Sequence, residues 1–99
     1  MSLLREEIAD QVVKAANRVI KKRHDVGTGG YPKLDVLADS DKIQISMQGN
    51  FTIFTIARFS SGDRLREVFQ GVSKRNPDDQ FNSDRGVVIA IHKAVENSV

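Results

Sequence analysis

Cysteine is absent from the chain, which removes disulfides, thiolate metal sites and cysteine nucleophiles together. A secreted domain this small more often relies on disulfide staples to supplement its core, so the absence predicts a reducing, cytoplasmic setting. Proline occurs only twice, and no low-complexity tract or internal repeat interrupts the pattern. No stretch approaches the roughly 18 successive apolar residues of a membrane span. The opening Met1-Ser2-Leu3-Leu4, followed by Arg5-Glu6-Glu7, lacks a signal-length apolar run, so neither insertion nor export is expected. A strong charge of one sign is also missing. Fifteen basic against thirteen acidic side chains leave +2, a field too weak to mark a nucleic-acid binder by itself.

What is there describes one folded domain over residues 1–99. Apolar residues make up 39% and charged residues 28%, enough apolar surface to offset chain entropy. At 99 residues folding hides roughly 65% of the unfolded surface, so one core is feasible and two are not.

Ile8, Val12, Ala15, Ala16, Val19 and Ile20 recur three and four apart, which predicts an amphipathic helix over about 4–23. Glu6, Glu7 and Asp10 toward its start and Lys21, Lys22 and Arg23 at its end complement the helix dipole. Gly27-Thr28-Gly29-Gly30-Tyr31-Pro32 ends it. A short extended piece follows near Lys33 to Leu37. Lys42 to Met47 alternates polar with apolar, and Phe51 to Phe59 is rich in β-branched and aromatic residues, so both read as strands around a Gly49-Asn50 turn. A third strand, about Arg64 to Lys74, follows Ser60-Ser61-Gly62-Asp63, where Gly62 supplies a positive φ. Asn76-Pro77-Asp78-Asp79 breaks the sheet. Asn82, Ser83 or Asp84 can cap a last helix over about 83–97, with Val87, Val88, Ala90, Ile91, Ala94 and Val95 as its apolar face. The expected fold is α+β: a two-layer sandwich of order α-β-β-β-α, with both helices on one face of a three-stranded antiparallel sheet.

Register decides the faces. Hairpins turning on Gly49-Asn50 and on Ser61-Gly62 gather Ile43, Ile45, Met47, Phe54, Ile56, Leu65 and Phe69 under the helices. They leave Lys42, Gln44, Ser46, Phe51, Ile53, Phe59, Arg64, Arg66, Val68 and Val72 on the second face. A three-residue turn at Gln48-Gly49-Asn50 reverses this for Phe51 and Ile53, because a one-residue slip turns every side chain over. Under either register the second face is partly apolar and suited to dimerisation or a ligand.

The candidate chemistry is thin. Gly27-Thr28-Gly29-Gly30 follows a helix, whereas a phosphate loop leads into one, so it reads as a terminator. His24 and His92 sit in different helices without a carboxylate at metal-ligand spacing. His24 suits a helix C-terminus and His92 a helix face with Glu96 at i+4. Asp78, Asp79 and Asp84 form an acidic group better explained by capping and turns than by a cation or general acid/base work. No catalytic, cofactor-binding or metal-binding residue is assigned. The basic groups are Lys21-Lys22-Arg23, Arg64 with Arg66, and Lys74-Arg75. Lys42, Phe51, Ile53, Phe59, Arg64 and Arg66 form a candidate partner or nucleic-acid surface, because aromatic residues interleaved with cations can stack bases and neutralise phosphates. Lys21, Lys22 and Arg23 form a second, basic patch.

The α-β-β-β-α order resembles that of double-stranded-RNA-binding-like domains. Phe69-Gln70-Gly71-Val72-Ser73-Lys74-Arg75-Asn76-Pro77-Asp78-Asp79, followed by Gly86 and Ala90-Ile91-His92-Lys93-Ala94-Val95, is similar to short uncharacterised bacterial and phage proteins of that fold. The resemblance implies a fold and a source, not an activity. RNA-binding members clamp phosphates with lysines at the start of the second helix and enter the minor groove with a loop after the first strand. Here the helix start is Asn82-Ser83-Asp84-Arg85-Gly86, preceded by Asp78-Asp79, and the loop is only Gln48-Gly49-Asn50. Carboxylates beside a phosphate repel it, and so short a turn does not reach into a groove, so no RNA-contacting residue is carried over. The leading expectation is a non-catalytic interaction module without a cofactor, whose partner is another protein or a second copy of itself. Nucleic-acid binding through the sheet face or the basic end of helix 1 is the alternative, and no membrane partner is expected.

Overall fold

The computed structural model describes residues 3–27, 29–76 and 83–99. Helix α1 spans Arg5–Asp25 and buries Ile8, Val12, Ala15, Ala16 and Val19, the stripe that the three-and-four spacing predicts. Leu4 stands extended at its N-terminus, and its N–H is satisfied by Glu7 Oε1 at 3.3 Å. The helix ends where Val26 N–H bonds the Lys22 carbonyl and Gly27 turns to φ +74°. Lys22, Arg23 and His24 occupy its last turn.

Strands β1 (Lys42–Gln48), β2 (Phe51–Phe59) and β3 (Leu65–Lys74) form an antiparallel sheet in the order β1-β2-β3. Gln48 pairs with Phe51, so the turn is the two-residue Gly49-Asn50, and Gly49 takes φ +60° there, a conformation costly for other residues. The register left open by the sequence is thereby decided. Ile43 faces Ile56 and Ile45 faces Phe54 across β1–β2, while Ile56 faces Phe69 and Phe54 faces Gly71 across β2–β3. This face is the core face, with Phe54 and Ile56 fully buried.

Leu65 departs from expectation. Arg58 pairs with Glu67 but Phe59 pairs with Leu65, so Arg66 is an extra residue in a bulge. The bulge breaks the alternation and moves Leu65 out of the core set; it is 59% exposed. Arg64 also differs, since it precedes β3 and its carbonyl accepts the Ser60 N–H at 2.9 Å, closing the β2–β3 turn. The extended piece near Lys33 to Leu37 forms no strand. It is a loop whose Leu34 is wholly buried in the core.

Helix α2 spans Ser83–Asn97 and buries Val87, Ala90, Ile91, Ala94 and Val95. It lies across β3 and β2, with α1 packed against it. Gly71 makes this approach close: a Cβ there would overlap the Ala90 carbonyl and the Ala94 nitrogen. Ser73 Oγ donates to the Gly86 carbonyl at 2.9 Å on the same seam. The molecule is 19 Å along its shortest axis, as one helix layer on one sheet requires. The cap of α2 and the Pro77-Asp78-Asp79 break fall outside the described residues.

Candidate functional site: the open face of the sheet

Because side chains alternate along a strand, the pairing that buries Phe54 and Ile56 turns their neighbours to the opposite face, which among the described residues no element covers. Successive cross-strand rows there are Gln48–Phe51–Lys74, Ser46–Ile53–Val72, Gln44–Thr55–Gln70 and Lys42–Ala57–Val68, with Phe59 and Leu65 beyond them. Phe51 is 43% exposed, Val68 53% and Val72 38%. Ile53 and Phe59 are half-buried.

Among the described residues, the charges along these rows are of one sign. Lys42 Nζ lies 5.4 Å from the Phe59 ring centroid, and Lys74 Nζ lies 5.7 Å from that of Phe51. Each is within cation–π range. Arg66 is exposed at the bulge. None of the paired positions in these rows is a carboxylate. Glu67, one residue from Arg66, pairs with Arg58 on the core side and meets Lys33 Nζ at 3.4 Å. The Phe59 end opens into a depression of about 670 Å³ lined by Lys42, Phe59, Asp39, Asp41 and the Ser60–Asp63 turn. Charge is mixed in that depression, although Asp41 is already neutralised by Arg58.

The structure therefore gathers Lys42, Phe51, Ile53 and Phe59 on one face and puts Arg66 at its margin. Arg64 sits in the adjoining turn. Lys74 belongs to the same surface: alternation alone pairs it with the side of Phe51, but only the register brings its ammonium over that ring. Leu65 joins the face through a bulge that no local pattern announces.

Asp41 and Arg58 escaped the sequence reading. Arg58 Nε donates to Asp41 Oδ1 at 3.1 Å and Nη2 to Oδ2 at 2.9 Å. Arg58 also donates to the carbonyls of Lys33 and Val36, and the Ala38 N–H donates to Asp41 at 2.8 Å. Arg5 Nη2 reaches the carbonyls of Ala38 and Asp41 at 2.7 and 3.1 Å. Burial favours the neutral form of the Asp41 carboxyl, but the Arg58 and Ala38 hydrogen bonds and the Arg58 and Arg5 charges outweigh it and hold the carboxyl below its ordinary value. The same pairing raises Arg58. This network ties the loop before β1 to the sheet.

The basic end of α1 is a separate place. Arg18, Lys22 and Arg23 line a cleft of about 330 Å³ with Val19, Val26 and Glu96, and Lys21 is exposed beside it. His24 Nε2 lies 3.5 Å from the Tyr31 hydroxyl. His92 Nε2 lies 3.2 Å from Gln11 Oε1. Burial pushes the His92 imidazole below its usual value, helped by Arg18 and Lys14 and opposed by Glu96. Asp84 sits in the first turn of α2, while Asp78 and Asp79 lie outside the described residues. Among the described residues no group of three or more His, Asp or Glu side chains is arranged to hold a metal ion, and no helix is long and apolar enough to cross a membrane.

Comparison with protein-family models finds no match, and searches of curated proteins and of solved structures find none either.

Proposed function

We propose that the protein is a non-catalytic interaction module whose working surface is the open face of the sheet. One observation carries the reading: Phe51, Leu65, Val68 and Val72 are exposed together on a face edged by Lys42 and Lys74. Burying apolar surface of this kind is favourable at about 25 cal/mol per Å², and a cluster beside charges of one sign is the pattern of a surface that meets something. The double-stranded-RNA-binding-like resemblance and a bacterial or phage source are compatible with this reading, as is a cytoplasmic location.

A photo-crosslinking amino acid placed at Val68, and separately at Asn17 on the exposed side of α1, tests it in cells that make the protein. Adducts from position 68 well above those from position 17 are expected. Equal or absent adducts overturn the reading.

A further inference from the structure

The open face selects among occupants by charge and by row. A second copy laid face to face would bring Lys42, Arg66 and Lys74 twice over into one drying interface whose cross-strand rows hold no carboxylate to offset them, and like charges gathered there repel. An amphipathic helix docks by a continuous apolar stripe. Here the polar row Gln44–Thr55–Gln70 crosses the middle and separates Ile53 and Val72 from Val68 and Leu65. An extended peptide draws its affinity from a strand edge, not from a sheet face. What remains is an anionic polymer that presents flat apolar groups at intervals with hydrogen-bonding edges between them.

We infer that the open face binds single-stranded nucleic acid, an inference that rests on the open face being the working surface. Phe51 and Phe59 supply the planes for two bases. They lie eight residues apart on β2, roughly 26 Å at about 3.3 Å per residue, a span suited to a short run of nucleotides, on the order of four. Gln44 and Gln70 stand between them with amides for base edges. Lys42 and Lys74, each over one of the two rings at 5.4 and 5.7 Å, turn to the phosphates as bases take the rings, and Arg66 adds a third cation. Asp39 and Asp63 at the Phe59 depression repel a strand that strays beyond that end. Phosphate charge and base planes are common to RNA and DNA, so the chemistry defines the class and the experiment separates the two.

The test is fluorescence anisotropy of the full chain with labelled single-stranded RNA, single-stranded DNA and duplexes of each, at about 50 and 200 mM salt. Binding of either single strand, tighter than its duplex, is expected. Three phosphate contacts give a loss of about twentyfold in affinity across that salt step, with a slope of about −0.7 per contact. Lys42→Glu with Lys74→Glu should weaken binding more than about tenfold. Lys93→Glu, the same charge change on an exposed residue of α2, should stay within about twofold. Phe51→Ala with Phe59→Ala should also cost at least about tenfold. The two lysines are exposed, so their variant remains informative if truncating half-buried Phe59 disturbs folding. Failure to bind any single strand, preference for duplex, or equal loss in the Lys93 variant overturns the inference. Strong crosslinking at position 68 without strand binding leaves the interaction module standing and removes only its nucleic-acid occupant.

Discussion

Asp41 is the side chain on which the loop between α1 and the sheet depends. Its carboxylate is inaccessible, Arg58 grips it with two hydrogen bonds, and Arg5 ties the neighbouring carbonyls to α1. Replacing it with asparagine leaves a largely buried guanidinium without its counter-charge, which typically costs about 3 kcal/mol. Urea unfolding at neutral pH should show that loss. The pH dependence has a definite sign. A carboxyl held below its ordinary value of 3.8 contributes stability that is complete above that value and disappears as pH falls through the lowered folded value. Asp41→Asn should therefore lose the corresponding part of the acid limb, and an unchanged acid limb would show that other carboxylates govern it. None of this was legible from the chain, because an aspartate in a loop and an arginine seventeen residues on carry no local mark of pairing.

At the level of elements, the approach of α2 to β3 depends on small residues meeting. Gly71 faces Ala90 and Ala94, and both alanines are wholly buried. Gly71→Ala would drive a methyl group into helix backbone, which cannot rotate away as a side chain can. The expected cost is about 3 kcal/mol, the upper part of the usual overpacking range, measured by chemical denaturation. A variant as stable as the parent would mean that α2 shifts freely on the sheet. The helices themselves were legible, since the spacing of Ile8, Val12, Ala15 and Val19, and of Val87, Ile91 and Ala94, fits only one local geometry. The bulge at Arg66 was not. A single inserted residue leaves composition and hydrophobicity unchanged and is visible only in the pairing of β2 with β3.

For the whole molecule, the two faces of the sheet answer to different demands. The core face is set by burial under both helices, whereas the open face contributes little to folding because its apolar side chains remain in contact with water. Leu65→Thr with Val68→Thr should change unfolding free energy by no more than about 0.5 kcal/mol per site while weakening whatever the face binds. A larger loss, read from equilibrium melting or urea titration, would show that the face is covered in the free protein, by self-association. Concentration-dependent sedimentation would then reveal it.

The chain by itself determined the element order, the two amphipathic helices and the absence of thiol chemistry, because these follow from periodicities of two and 3.6 residues and from which side chains are present. Tertiary structure alone decided the register, the exposure of Leu65, the placement of Lys74 over Phe51 and the Asp41–Arg58 pair. Each depends on residues distant in sequence meeting in space. A turn one residue longer would have preserved almost every local preference and reversed which side chains of β1 and β2 share a face.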